Sequence, residues 1–287
     1  MYSKIIAGTM TWGQWGKKHS KTEMIDTINY CLENNITTFD HADIYGDYTT
    51  EADFGNAFTE SNITRDAIQL ISKCGIQLPG SSRSKLQVKH YNYSKDYIIW
   101  SAENSLKKLK TDYLDLLLLH RPSPLMQPEE VAEAISILKK QGKIKNFGVS
   151  NFTTSQTELL SQFTNISVNQ IEFSLTQHTA MHDGVLDTLM AKKIKPMCWS
   201  PLGTVFKDTN EQTTRIHLQL ERLTEKYNAT KDQLLLAWIL KHPANITPVL
   251  GTTTKERLKN AYNATNIHLD TEDWFLILDA CQGHEVP

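Results

Sequence analysis

The chain has 287 residues, 40% of them hydrophobic, enough apolar material to bury the core of one large α/β domain or of two smaller ones. Its 30 basic and 32 acidic residues are spread along the sequence for a formal charge of −2, which leaves no basic stripe for nucleic acid and no polycationic segment for a membrane surface, so the expected partner is a small molecule. No apolar run approaches the roughly 18 residues of a spanning helix, Met1 to Lys4 lead into a strand-like run in place of a secretory leader, and Cys31, Cys74, Cys198 and Cys281 lack zinc or disulfide spacing, which together predict a metal-free cytoplasmic protein with reduced thiols; a monomer is expected.

Taken in chain order, short runs rich in Ile, Val and Leu alternate with longer amphipathic stretches, the pattern of a parallel sheet with crossover helices. The expected strands cover residues 4–8, 37–40, 68–73, 114–120, 145–149, 167–171, 195–199 and 247–250. Between them, residues 21–33 place Met24, Ile28 and Leu32 on one helical face, and residues 128–140 open on Pro128 and close at Gly142. Further helices are expected over 153–160 and 271–280. Eight strand–helix units are most economically closed as a (β/α)8 TIM barrel, an α/β fold without exposed sheet edges, with residues 1–287 forming one domain. A doubly wound open sheet is the alternative, but the early glycines from Gly8 to Gly16 do not form the Gly-x-Gly-x-x-Gly turn that such a sheet uses for a dinucleotide. The stretch from Pro79 is expected to be a long loop.

In a barrel, chemistry gathers at the C-terminal ends of the strands. Asp40 ends the second run, Tyr45 follows in its loop, Lys73 ends the third and His120 the fourth. Each could be a satisfied structural group, but jointly they form a chemical set. A phenol with an ordinary pKa of roughly 10 is a poor acid at neutral pH, and an ammonium beside it favours the phenolate. Lys73 could supply that charge, Asp40 could hold the lysine, and the His120 imidazole could bond a substrate oxygen. Such a set suits the polarisation and protonation of a carbonyl.

The chain resembles the aldo-keto reductases over almost its whole length. The similarity is carried by Gly8-Thr9, by Asp40-x-Ala42-x-x-Tyr45-Gly46 followed by Glu51 and Gly55, and by Leu119-His120-Arg121-Pro122. It continues in Gly148-Val149-Ser150-Asn151-Phe152, Asn169-Gln170-Ile171-Glu172 and Trp199-Ser200-Pro201-Leu202-Gly203. The resemblance implies a catalytic tetrad of Asp40, Tyr45, Lys73 and His120 that reduces an aldehyde or ketone with NADPH, Tyr45 giving the proton and the oxygen lying between Tyr45 and His120. It also implies a cofactor site drawn from Gly8, Thr9, Met10, Asp40, Ser150, Asn151, Gln170, Trp199, Ser200, Pro201, Leu202, Gly203, Gly251, Thr252, Thr253, Arg257 and Asn260. In that site Ser150, Asn151 and Gln170 would bond the carboxamide, and Trp199 would stack on the nicotinamide. Arg257, in a helix that follows hydroxyl-bearing residues, would meet the adenosine 2′-phosphate and favour NADPH, with NADH possible.

The sequence departs from relatives at Gly251, where many have a basic residue, and at Asn260-Ala261, where a Glu-Asn pair is common. A bottom-closing N-terminal hairpin is expected to be short or absent, and an open pocket is expected to be walled by Trp12, Tyr45, the loop from His120 to Met126 and the loop from His90 to Tyr93. Two other classes compete with this reading: a nicotinamide-binding regulatory or sensor subunit with little turnover, and a lyase using Lys73 as a Schiff-base nucleophile.

Overall fold

The computed structural model describes residues 1–286, and each of the eight apolar runs becomes a strand of one sheet. In chain order the strands are β1 (Ile6–Gly8), β2 (Thr38–Asp40), β3 (Gln69–Cys74), β4 (Ile76–Gln77), β5 (His90–Tyr91), β6 (Leu114–Leu119), β7 (Ile144–Ser150), β8 (Val168–Glu172), β9 (Lys195–Trp199) and β10 (Thr247–Leu250). The sheet closes in the order β1, β10, β9, β8, β7, β6, β3, β2, with every neighbouring pair parallel. Strands β4 and β5 lie outside it as a small antiparallel pair, β4 preceding the loop expected from Pro79. No strand precedes β1.

Local chemistry sets the helix ends. Lys21–Glu33 opens on a reciprocal capping box between Ser20 and Glu23 and buries Met24, Ile28 and Cys31. Pro128–Lys140 starts with Pro128, where a missing N–H costs nothing, and places Glu129 and Glu130 in its first turn and Lys139 and Lys140 in its last, each favourable to the helix dipole. The last helix, Thr271–Gln282, runs two residues beyond the expected 280 and stops at Gly283, whose φ of 81° is left-handed.

The barrel interior explains why the polar residues meet. Side chains alternate between the two faces of a strand, and the inner cluster consists of Ile6, Ile71, Leu116, Leu118, Val168, Met197 and Val249. Two residues further along each strand, on the same inward parity, stand Gly8, Lys73, His120, Gln170, Trp199 and Gly251. The paired registers add Asp40, opposite Gly8, and Ser150, opposite Gln170. The apolar layer is therefore a floor, and its upward continuation is polar. Removing part of that floor, as in Leu118→Ala, would cost about 2–5 kcal/mol and leave the polar layer unsupported.

Candidate active site

Lys73 is the centre of the polar layer. It is 1% exposed, and its Nζ donates to Asp40 Oδ2 at 2.6 Å, to the His41 carbonyl at 2.9 Å and to the Tyr45 hydroxyl at 3.1 Å. The second carboxylate oxygen of Asp40 accepts from Gln170 Nε2 at 2.9 Å, so both oxygens are used. Tyr45 is brought over the lysine by a left-handed bend immediately after it, with φ of 61° at Gly46, 54° at Asp47 and 69° at Tyr48. Only the first of these is a glycine, so the bend is strained and has to be held. Thr49 Oγ1 donates to the Gly46 carbonyl at 2.7 Å, and the Ser82 N–H donates to Asp47 Oδ2 at 3.0 Å. The His120 ring stands 6.0 Å from that of Tyr45, nearly perpendicular at 77°.

The protonation states follow from burial and charge. Burial alone would push the Lys73 ammonium down, but Asp40 and Tyr45 outweigh it and hold the lysine above its ordinary pKa. Burial raises Tyr45, and Asp40 adds to this, while Lys73 and Arg121 pull the other way; the net direction is upward. The sequence suggested that Lys73 would favour the phenolate. The lysine does act in that direction, but desolvation wins in the folded protein and the phenol keeps its proton. Burial, then Lys73, Arg121 and Lys89, push His120 well below the usual imidazole range, so its ring is neutral, and its Nδ1 has no partner among the described residues.

Beside the tetrad, Trp199 Nε1 donates to Asn151 Oδ1 at 2.8 Å, Ser150 Oγ donates to the Gln170 carbonyl at 2.9 Å, and Arg121 Nη1 donates to Ser150 Oγ at 3.0 Å. One rim thus joins β3, β6, β7, β8 and β9 around Tyr45.

A family model described as the aldo/keto reductase family matches residues 4–281. The chain belongs to that family. It is 43% identical over 291 residues to the uncharacterized oxidoreductase YcsN of Bacillus subtilis, covering 100% of this chain and 96% of YcsN. It is 40% identical to the 6-dehydroglucose reductase of Agrobacterium fabrum, covering 99% and 97% of the two chains. Among solved structures, the aldo/keto reductase of Klebsiella pneumoniae in complex with NADP and acetate superposes with a TM-score of 0.81 at 25% identity, covering 97% of this chain and 90% of that one.

The other residues expected in this aldo/keto reductase site fall into two groups. At the open end, Met10 is 46% exposed, and Ser200 and Gly251 are exposed. Thr252 and Thr253 precede the helix Lys255–Asn263, which carries the exposed Arg257 and the partly buried Asn260. Gly203 turns with a φ of 53° between the partly buried Leu202 and Thr204. Other residues are internal. Thr9 is fully buried, with its hydroxyl 3.1 Å from the Asp40 carbonyl and 2.9 Å from His41 Nδ1; Gly8 packs against the Leu250 carbonyl; Pro201 is buried.

Trp12, expected in the pocket wall, is not there. It is fully buried, with ring centroids 6.1 Å from Phe39 and 6.0 Å from Phe54, because apolar partners on β2 and on the helix Thr50–Glu60 draw it under the rim. The aromatic that approaches Tyr45 from this loop is Trp15, 41% exposed and 6.2 Å from the Tyr45 ring. Two further residues gained no role from the sequence. Arg121 reaches into the rim, and Asp43 is buried behind it, with its Oδ1 unpaired among the described residues. The period-2 continuation of the strands picks out the inward residues but not Arg121, which points from a loop. Among the described residues no helix is long and apolar enough to cross a membrane, and no three metal-ligating side chains are gathered together.

Proposed function

We propose that this aldo/keto reductase reduces an aldehyde or ketone to an alcohol with NADPH, with Tyr45 as the proton donor. The observation that carries the reading is the buried lysine bonded at once to a carboxylate and to the donor phenol. The residues also suit the cofactor. The helix Lys255–Asn263 begins at Thr254 with no side-chain cap on its amides, a Cβ at Gly251 would meet open space, and Arg257 is exposed there, a combination fitted to a phosphate. Trp199 offers a partly exposed ring beside Ser150, Asn151 and Gln170 for a nicotinamide and its carboxamide.

When bound, a reduced nicotinamide supplies a hydride equivalent to the carbonyl carbon. The neutral His120 orients the carbonyl oxygen through a hydrogen bond. Tyr45, whose raised pKa keeps it protonated, passes its proton to that oxygen as negative charge builds there. Lys73 then stabilises the resulting phenolate through its 3.1 Å bond, and Asp40 keeps Lys73 charged and in place. Solvent restores the proton to Tyr45, leaving an alcohol and NADP. The whole chain acts as one barrel domain and a cytoplasmic monomer, for which sedimentation should return a mass near 32.7 kDa.

Tyr45→Phe is the test. NADPH affinity by fluorescence titration should be nearly retained while aldehyde reduction falls about 100-fold or more. Retained turnover would sink the assignment. A wild-type protein that binds NADPH but turns over no aldehyde, ketone or quinone would instead be a nicotinamide-dependent regulatory subunit, and borohydride trapping of a substrate on Lys73 would point to a lyase.

A further inference from the structure

The chain as a whole is slightly acidic, yet three loops around Tyr45 and His120 are not, although Tyr45's own loop adds Asp43 and Asp47. Residues 9–20, 75–94 and 120–127 carry Lys17, Lys18, Arg83, Lys85, Lys89 and Arg121 without a single aspartate or glutamate. One of these cations lies against the reacting centre. Arg121 directly follows His120, and its backbone is clamped by the Tyr93 hydroxyl, which donates to the Arg121 carbonyl at 2.5 Å and accepts from the Arg121 N–H at 3.1 Å. That clamp depends on Gly75, with φ 108°, because a Cβ there would lie 1.8 Å from the Tyr93 ring. The guanidinium is 5.5 Å from the centroid of Trp199, and its Nη1 donates to Ser150 Oγ at 3.0 Å and to the His120 carbonyl at 2.6 Å. Its Nη2 and Nε donate to no acceptor among the described residues.

Lys89 is exposed in the β4–β5 loop. Neither cation is ion-paired among the described residues. The carboxylate beside Tyr45, Asp40, is already bound to Lys73 and Gln170. The inner cation is therefore neutralised and the rim cations are not. A planar donor fork, partly shielded from water next to the carbonyl site, suits a carboxylate or a phosphate.

We propose that Arg121 forms a subsite for an anionic group, so that the preferred substrates are aldehydes or ketones bearing a carboxylate or a phosphate ester beyond the carbonyl. The proposal rests on the carbonyl-reductase reading and deepens it. Arg121 is then a specificity residue. It binds the remote anion while Tyr45 and His120 hold the carbonyl oxygen.

The test compares 4-formylbenzoate with its methyl ester in NADPH oxidation, with 4-formylphenyl phosphate and the neutral polyol D-glyceraldehyde as further arms. The carboxylate should exceed the ester in kcat/KM by about 10-fold or more, mainly through KM, and the ratio should shrink as salt is added. Arg121→Met should lower the ratio, and Arg121→Lys should restore part of it. A larger ratio for the phosphate than for the carboxylate would identify a dianion as the natural group. Calorimetric titration of the alcohol products, 4-(hydroxymethyl)benzoate against its methyl ester, should show the same preference without turnover.

A wild-type ratio of one or less, or D-glyceraldehyde preferred over both anions, overturns the subsite. So does Arg121→Met weakening NADPH binding with the ratio unchanged, which would assign the charge to the cofactor. Failure to reduce any of the four compounds would count against the reductase reading instead, and calorimetry would still decide the anion preference.

Discussion

At the N-terminal end of the barrel Arg65 uses its whole guanidinium. Its Nε donates to Thr111 Oγ1 at 2.7 Å, its Nη1 to the Ile68 carbonyl at 2.9 Å, and its Nη2 to the Tyr113 carbonyl at 2.8 Å and to Asp115 Oδ2 at 2.7 Å. Asp115 in turn accepts from the Leu70 N–H at 2.9 Å and from Lys145 Nζ at 3.2 Å. At the C-terminal end the Asp40–Lys73 pair is just as short, but the groups around it keep valences open: His120 Nδ1 is unpartnered and Arg121 is half used. Both ends bury charge, and only one leaves polar capacity for something outside the chain. Full satisfaction marks a brace that holds strands in register, whereas incomplete satisfaction beside a rigid ion pair marks a place for a reactant.

The contrast can be broken by removing one cation from each end. Lys73→Met should lower carbonyl reduction about 100-fold or more and also destabilise the fold, because Asp40 is left as a buried charge. Adding Asp40→Leu should recover most of that stability without recovering activity, as expected when both members of a buried pair give way to apolar side chains. Thermal melts and steady-state rates on the two variants separate these effects. Arg65→Met should cost about 3 kcal/mol in urea unfolding while the folded fraction keeps its wild-type kcat; a loss of kcat would mean that the lower end also serves the chemistry. A smaller effect is expected at the upper rim, where Arg257→Ala should raise the KM for NADPH about 10-fold, one charge-assisted contact's worth, and the KM for NADH much less. Equal changes for the two cofactors would remove Arg257 from the 2′-phosphate.

How far the sequence reveals this division depends on distance along the chain. The eight barrel strands were legible because both faces are buried, which gives continuous Ile, Val and Leu runs, and the helices Lys21–Glu33 and Pro128–Lys140 were bounded correctly by their caps. The β4–β5 pair was not, since two-residue strands in a polar loop give no period to read. Asp40, Lys73 and His120 could be found as polar ends of apolar runs, and Tyr45 in the loop after the first of them, but the sign of the Tyr45 shift could not, because it depends on how much water the fold removes. Trp12 was misplaced since a tryptophan three residues from another in a glycine-rich loop does not disclose which of the two turns inward. The roles of Arg121 and Asp43 depend on Tyr93, Ser150 and Ser101, all remote in sequence.

Asp43 is where the rule of satisfaction and the rule of position disagree, and it offers the finest test. It lies on the rim's own loop, yet it is 2% exposed and its Oδ2 accepts from Ser101 Oγ at 3.1 Å on the outer helix Lys95–Leu109. Glu51, 1% exposed, accepts from Ser72 Oγ at 2.6 Å, and Asp43 Oδ1 and Glu51 Oε2 both lack partners among the described residues. Burial, and then the charge of Glu51, push Asp43 up to about 7 from its ordinary 3.8, against weaker pulls from Ser101, Arg83 and Lys108. A carboxyl whose folded pKa is raised stabilises the fold through its bound proton. That contribution is complete below the unfolded pKa near 4 and is lost as the pH rises through about 7. Asp43→Asn, which cannot ionise and can still accept from Ser101, should therefore match the wild type near pH 4 and be more stable at pH 8, by on the order of 4 kcal/mol. If the unpaired oxygens belong to a brace, melting temperature will change between those pH values and kcat will not. A kcat that falls with the substitution while the melting profile stays put would place Asp43 with the open chemistry of the upper rim, and make unsatisfied valence the better guide than position.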